Sequence, residues 1–156
     1  MKKHSPFVLF TLMIASLTCS IHCGTDDPLE SAPLKGRIAG ETWKYKYSKS
    51  FFNEVDNVYD AELYGTQQTN DDPCSIVISG ESHISIQLPN ATGNYQIPAE
   101  IQVVFEQPGA GNENFRATSG FIDITSAAGG QVVGYIQANY DDSNSVEGTF
   151  SFSRCN

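Results

Sequence analysis

Histidine is scarce in this sequence. The 156 residues include three histidines, and two of them, His4 and His22, lie in an N-terminal segment with the features of an export leader. A Ser-His-Asp or Cys-His arrangement would therefore depend on His83, which shares the parity of Ser85 and is better explained as a partly exposed strand residue. The histidines that remain cannot complete a Cys₂His₂ zinc site. We predict no nucleophilic catalysis and no bound metal.

Basic residues are also few. Nine Lys and Arg stand against eighteen Asp and Glu, which gives a formal net charge of -9 at pH 7. No basic, aromatic-lined stripe is present, and an acidic surface repels a phosphate backbone. The same charge argues against electrostatic adhesion to anionic lipid. We therefore predict that nucleic acid is not a partner.

The common catalytic signatures are missing as well. The sequence has no G-x-S-x-G elbow, no P-loop and no dinucleotide fingerprint. Its acidic stretches at 71–72 and 141–144 do not fit a calcium loop, and hairpin turns explain them more simply. Two carboxylates could still cleave a glycoside, but acids are so abundant here that the signal has no specificity. We predict a protein that is not an enzyme and has no cofactor.

Beyond the N-terminal segment no window keeps a helical period, and a period of two replaces it. In the C-terminal third, Val146, Phe150 and Phe152 fall on one parity and polar residues on the other, as a half-buried strand requires. The turn chemistry lies at 127–130 and 141–145. Adjacent antiparallel strands are predicted at 121–125, 132–140 and 146–153.

The earlier part of the domain gives the same pattern. A hairpin is predicted over 34–47 with its turn at Ala39-Gly40, and Trp43, Tyr45 and Tyr47 then share a core-facing parity. Residues 51–52 begin an irregular segment, and 89–98 form a connection. Further strands are predicted at 58–64, 76–78, 83–88 and 101–105. About eight to ten short strands at close spacing predict an all-β, antiparallel meander that forms either a sandwich or a barrel.

The first 22 residues are predicted to be a signal peptide of the lipoprotein type. Lys2 and Lys3 precede an apolar run of roughly 12 residues, shorter than the ~20 needed to span a bilayer. Cys23 is the preferred lipid attachment site because Gly-Thr-Asp-Asp follows it, and because its use leaves an even pair of cysteines. Cys19, directly behind the apolar run, is the alternative, and secretion without lipid is a second alternative. Residues 23–33 form a polar linker and 34–156 the β-domain.

Short motifs resemble a group of small bacterial lipoproteins. The domain opens with G-x-[IV]-x-G-x-x-W, carried here by Gly36, Ile38, Gly40 and Trp43. The likeness extends to G-N-Y at 93–95 and to a closing v-x-G-x-F strand at 146–150. The resemblance implies a single all-β domain and no established activity.

Two sets of residues are candidates for a specific role. Cys74 and Cys155 are predicted to form a disulfide, since export places the chain in an oxidising compartment. Trp43, Tyr45 and Tyr47 could line a ligand cleft, although the core is the default place for such a set.

The leading hypothesis is an exported, lipid-anchored β-domain that acts as a binding or structural module at the bacterial cell envelope. The alternative is a β-barrel that carries a small apolar or glycan ligand inside, and a distant third is an acid-pair hydrolase. The membrane would be reached through the N-terminal lipid, and a protein or glycan partner is left open. Without the lipid, the protein would be periplasmic or secreted. The sequence gives no strong sign of oligomerisation.

The first testable prediction concerns the N-terminus. Mass spectrometry of protein from the membrane fraction should find the leader removed and an acylated cysteine as the first residue, since the basic and apolar regions precede Cys19 and Cys23. An unmodified N-terminus near Ile21 would contradict the lipid and leave export intact.

Overall fold

The computed structural model describes residues 32–66, 74–75, 80–108 and 113–155. Within these ranges the chain forms eleven β-strands and no helix. The strands, numbered in chain order, are β1 (Lys35–Ile38), β2 (Glu41–Lys44), β3 (Tyr47–Asn53), β4 (Val58–Tyr64), β5 (His83–Pro89), β6 (Gly93–Ile97), β7 (Val103–Gln107), β8 (Glu113–Arg116), β9 (Ser119–Ala128), β10 (Gln131–Asp141) and β11 (Asn144–Ser153).

The strands form two antiparallel sheets. The six-stranded sheet has the order β2-β1-β11-β10-β9-β6, and the five-stranded sheet has the order β3-β4-β5-β7-β8. Each sheet ends in two edge strands, so neither closes on itself, and one buried cluster draws side chains from both. The all-β prediction is confirmed. Of the two architectures that the sequence left open, the domain adopts the sandwich.

The C-terminal meander forms the middle of the six-stranded sheet. Strand β10 pairs with β9 on one side and with β11 on the other, both antiparallel. The inward positions of β11 include Val146, Phe150 and Phe152, all buried. The adjacent, antiparallel arrangement predicted for this third is therefore confirmed, and burial of alternate side chains fixes its register.

The N-terminal hairpin is confirmed, but it is shorter than predicted. Ala39 and Gly40 have φ of 52° and 82°, the pair of positive angles that a two-residue hairpin turn needs. Strand β2 ends at Lys44, and the chain then crosses between sheets, with the Tyr45 amide donating to the Leu34 carbonyl and the Lys46 amide to the Tyr64 carbonyl. Because of this crossing, alternation does not continue to Tyr47, which begins β3 and lies outside the core cluster.

Two further predictions about elements are wrong. Residues 51–52, predicted to begin an irregular segment, lie inside β3, where Phe52 packs against the core. The predicted connection at 89–98 contains β6, which pairs with β9 at the edge of the six-stranded sheet. Both strands lie at sheet edges, where only one neighbour has to be satisfied and alternation is weakest. The strand predicted at 76–78 lies outside the described residues.

The core fills the space between the sheets. Strands β4 and β5 contribute alternate residues such as Leu63, Ile84 and Leu88, each with no exposed surface. From the other sheet Ile122 and Ile136 are equally buried. Filling one space from two facing sheets requires a period of two in every long strand.

Cys74 and Cys155 are bonded, with their Cα atoms 5.4 Å apart. Cys155 follows β11, and its amide donates a hydrogen bond of 2.7 Å to the carbonyl of Ser50 on β3. The buried Ser50 hydroxyl in turn donates to the Ser153 carbonyl at 2.9 Å. The last residues described are therefore held to the five-stranded sheet, although β11 itself belongs to the other sheet.

Removal of either cysteine is the second test. Cys74→Ser and Cys155→Ser should each lower the free energy of unfolding by roughly 4–5 kcal/mol, because the bridge constrains a long loop in the unfolded chain. The double variant should lose no more than either single variant, because both remove one bond. Equilibrium denaturation measures all three. Labelling of both thiols in the folded, exported protein would contradict the bridge.

A glycine marks where the start of the domain meets β11. The amide of Thr149 donates to the Ala32 carbonyl at 2.8 Å, and the amide of Leu34 donates to the Thr149 carbonyl at 3.0 Å. Gly148 has φ of 139°, and a Cβ there would lie 2.6 Å from the Leu34 Cα. The end of the predicted linker is thus part of the folded domain.

The third prediction tests that contact. Gly148→Ala should lower the free energy of unfolding by roughly 3–5 kcal/mol, because strain at positive φ adds to the overlap with Leu34. Gly129→Ala is the matched control, since Gly129 also has positive φ (63°) but nothing within 4 Å. It should cost only about 1–2 kcal/mol. Equal losses in the two variants would show that the close approach is unimportant.

Candidate functional site

An open groove lies on the outer face of the five-stranded sheet. It has a volume of about 640 Å³, within the range of roughly 300–1,000 Å³ typical of ligand sites. Strands β3, β4, β5, β7 and β8 form its floor, and residues 100–102 form a wall. We call this feature the outer groove. The residues that line it include Lys49, Phe51, Asp60, Glu62, Ser85, Gln87, Glu100, Gln102, Val104 and Arg116.

The floor faces outward because of strand parity. In β4, Tyr59, Ala61 and Leu63 are buried in the core, and Asp60 and Glu62 alternate with them. In β5 and β7 the core residues likewise occupy every second position. The same alternation that builds the core therefore aligns polar side chains on the opposite face.

One row across the groove combines a ring, a carboxylate and an amide. Phe51 pairs with Asp60, and Asp60 pairs with Gln87. Gln87 Nε2 donates to Asp60 Oδ1 at 2.8 Å, and this bond holds the two side chains together. The Phe51 side chain is 49% exposed, and Lys49 Nζ lies 5.4 Å from its ring centroid.

The next row carries charges of both signs. It runs Lys49, Glu62, Ser85, Val104 and Arg116, one residue from each strand of the sheet. The two cations therefore stand on the two edge strands. The Arg116 guanidinium donates to Gln102 Oε1, which joins β8 to the wall.

The wall is held by its own hydrogen bonds. The Glu100 amide donates to the Gln96 carbonyl at 2.9 Å, and the Gln96 amide donates to Glu100 Oε2 at 2.8 Å. Ile101 beside it is buried in the core. The segment that crosses from β6 to β7 is thus fixed at one side of the groove.

A stack of rings borders the charged row. Tyr47 stacks on Tyr64 with centroids 5.0 Å apart, and Tyr64 stacks on His83 at 4.9 Å. The Tyr64 hydroxyl donates to Glu62 Oε2 at 2.6 Å. Burial, followed by this bond to Glu62, raises the pKa of Tyr64 above its ordinary range. Tyr64 is therefore a neutral donor that fixes the Glu62 carboxylate.

His83 is held between the stack and a carboxylate. Its Nε2 lies 3.5 Å from Glu106 Oε2, and Glu106 also accepts from the Ser85 hydroxyl at 2.6 Å. Its Nδ1 lies 3.0 Å from the Glu81 carbonyl. These contacts give the histidine a structural role at the border of the outer groove.

The three aromatic residues singled out in the sequence do not form one cleft. Trp43 is buried, its Nε1 donates to the Ser82 carbonyl at 3.2 Å, and it borders a separate pocket of about 210 Å³. Tyr45 packs against the core and donates to the Ser151 carbonyl at 2.5 Å. Tyr47 belongs to the ring stack. Cys19 and Cys23 lie outside the described residues.

The polar side chains of the acidic hairpin turn at 141–144 form hydrogen bonds within the turn and to the N-terminal hairpin. Asp141 Oδ1 accepts from the Ser143 amide at 2.9 Å and from Asn144 Nδ2 at 3.0 Å. Asn144 Oδ1 accepts from the Ala39 amide at 2.8 Å, which couples this turn to the N-terminal hairpin. Among the residues that the structure describes, no group of three or more His, Cys, Asp and Glu is placed to hold a metal ion.

The sequence does not reveal the outer groove. Alternation identifies the floor residues as solvent-facing positions of their strands. The strands of the six-stranded sheet alternate in the same way, so the pattern does not distinguish the two outer faces. The groove exists because residues 100–102 stand beside one sheet and not the other. Residues 100–102 lie between β6 and β7, so strand parity does not mark the place where they stand.

Comparisons of the chain with protein-family models, with curated proteins and with solved structures find no significant match. The resemblance of the opening motif to small lipoproteins stays a prediction. In the described part of the chain, no helix has the length and apolar character needed to cross a membrane.

Proposed function

We propose that the protein is an exported, non-enzymatic binding domain, anchored to the bacterial cell envelope by a lipid on Cys23, with Cys19 as the alternative site. The basic and apolar leader supports export. The outer groove supports binding and is the proposed ligand surface. The two parts are independent, because the groove would serve a secreted domain equally well.

The observation that carries the binding role is that polar side chains of the groove are already hydrogen-bonded to one another. Gln87 is tied to Asp60, and Arg116 to Gln102, before any ligand arrives. Side chains that are already ordered lose less entropy when a ligand binds, so more of the contact energy becomes affinity. The interior between the sheets is filled by the core, which favours a ligand on the surface over one carried inside.

The bonding of the carboxylates favours binding over hydrolysis. Asp60 accepts from Gln87, Glu62 accepts from Tyr64, and Glu100 accepts from the Gln96 amide. An acid pair for glycoside cleavage needs two carboxyls that flank one scissile bond. The three bonds named here instead hold each carboxylate to a different neighbour in the protein. These acids are suited to accept hydrogen bonds from a ligand.

The position of the linker is compatible with this role. Ala32 and Pro33 pair with Thr149 of β11, in the six-stranded sheet. The groove lies on the outer face of the other sheet. A lipid tether that enters the domain at residue 32 therefore meets the six-stranded sheet and none of the strands that form the groove floor.

The fourth prediction tests the surface with matched variants. The mature domain should be retained on the envelope fraction of its host, and the double variant Gln87→Ala/Arg116→Ala should be retained about tenfold less, because two hydrogen-bonding side chains are lost. The control is Lys35→Ala/Gln137→Ala, which removes an exposed cation and an exposed amide from the outer face of the six-stranded sheet. The control should bind like the original domain.

Three results would contradict the proposal. Equal loss in the two double variants would remove the groove from the binding role. A wild-type domain that is not retained at all would contradict the binding function itself. Release of reducing sugar ends from the fraction, abolished by Asp60→Asn or Glu62→Gln, would replace binding by hydrolysis.

A further inference from the structure

Phe51 is an unusual residue for the surface on which it stands. It is one of three large hydrophobic side chains that are exposed among the described residues, together with Val55 and Tyr140. Its neighbours on the outer face include Lys49 and Asp60; the Lys49 ammonium lies 5.4 Å from the ring centroid, and Phe51 stays 49% exposed beside it. A half-exposed aromatic ring among polar groups gains most from a ligand that has both an apolar face and polar edges.

We infer that the ligand of the outer groove is a neutral glycan chain, with one sugar ring stacked on Phe51. This inference rests on the proposed binding function. A pyranose presents C–H groups on its face and hydroxyls around its edge, which matches a ring bordered by hydrogen-bonding side chains.

Asp60 and Gln87 suit the hydroxyl edge. A carboxylate has about four acceptor sites, and among the described residues one site of Asp60 is used, by Gln87 Nε2. Within the same part of the chain, the Gln87 amide still has its carbonyl oxygen and a second N–H to offer. The pair therefore offers acceptors and a donor side by side, next to Phe51, as neighbouring hydroxyls need.

The charges of the groove select a neutral chain. Lys49 and Arg116 share the surface with Asp60, Glu62 and Glu100. A polyanion would meet repulsion from the acids here and from the net charge of -9 on the whole chain. Lys49 and Arg116 would disfavour a polycation in the same way. The hydroxyl groups of a neutral sugar can donate to the carboxylates and accept from the cationic side chains, so neither sign of charge repels them.

The dimensions favour a chain over a single sugar. Four inter-strand steps separate β3 from β8, which is about 19 Å across the floor at ~4.8 Å a step. Phe51 lies on β3, an edge strand, so a chain stacked there can continue past the sheet. An extended peptide would instead use the main-chain groups of a sheet edge and would not need the face.

The fifth prediction distinguishes loss of the Phe51 ring from loss of the folded domain. Phe51→Ala should reduce retention on the host envelope fraction about tenfold, since the surface on which the sugar ring stacks is lost. Phe51→Trp should keep or increase retention because it preserves a flat ring. Val55→Ala, which truncates another exposed apolar residue, should change nothing. Circular dichroism checks that all three variants fold.

The chemical class is tested on the fraction itself. Retention should survive exhaustive proteolysis and solvent extraction of lipid, and it should disappear after acid cleavage of glycosidic bonds. It should also change little between about 0.05 M and 0.5 M salt, because screening weakens only charge-driven binding. Neutral oligosaccharides released from the fraction should compete.

The outcomes distinguish the two proposals. Loss of retention after proteolysis would identify a protein partner, and loss after solvent extraction would identify a lipid. Either result would overturn the glycan and leave the binding function standing. Strong salt dependence would overturn the neutral ligand. Absence of any wild-type retention would remove the binding function, and the glycan with it.

Discussion

The sandwich depends on filling the space between two sheets that cannot close on themselves. Each sheet ends in edge strands, so burial has to come from the facing sheet. Residues such as Leu63, Phe105 and Ile136 meet in that space with no exposed surface. At about 25 cal/mol per Å² of apolar surface removed from water, this burial is the largest favourable contribution to folding. The alternation of every long strand follows from it.

Strand β11 links the parts of the molecule that this core leaves separate. It pairs with β10 and β1, accepts the incoming chain at Gly148, and continues into Cys155. Cys155 then reaches the other sheet through Ser50 and through its bond to Cys74. Chain ends fray unless something holds them. Here the start of the domain and its last described residues are held by the same strand.

The outer groove is a consequence of the same alternation combined with one crossing segment. Once Tyr59, Ala61 and Leu63 face inward, Asp60 and Glu62 must face outward. Residues 100–102 then stand over one side of that face, because the chain has to pass from β6 in one sheet to β7 in the other. The core thus makes the floor, and the connection makes the wall. Binding surfaces are often built this way, with loops placed by a rigid scaffold.

The sequence alone determined the fold class, the C-terminal meander and the pairing of Cys74 with Cys155. These depend on signals that the sequence itself carries, namely a period of two, turn residues such as Gly129 and Gly130, and an even pair of cysteines in the folded domain. Tertiary structure decided that the sheets stay open and that Tyr47 lies outside the core cluster. It also placed β3 at one edge of the five-stranded sheet and β6 at one edge of the six-stranded sheet. It also decided that Phe51, Asp60 and Gln87 share one row. Those residues come from three strands, and only the register between the strands brings them together, which no local pattern records.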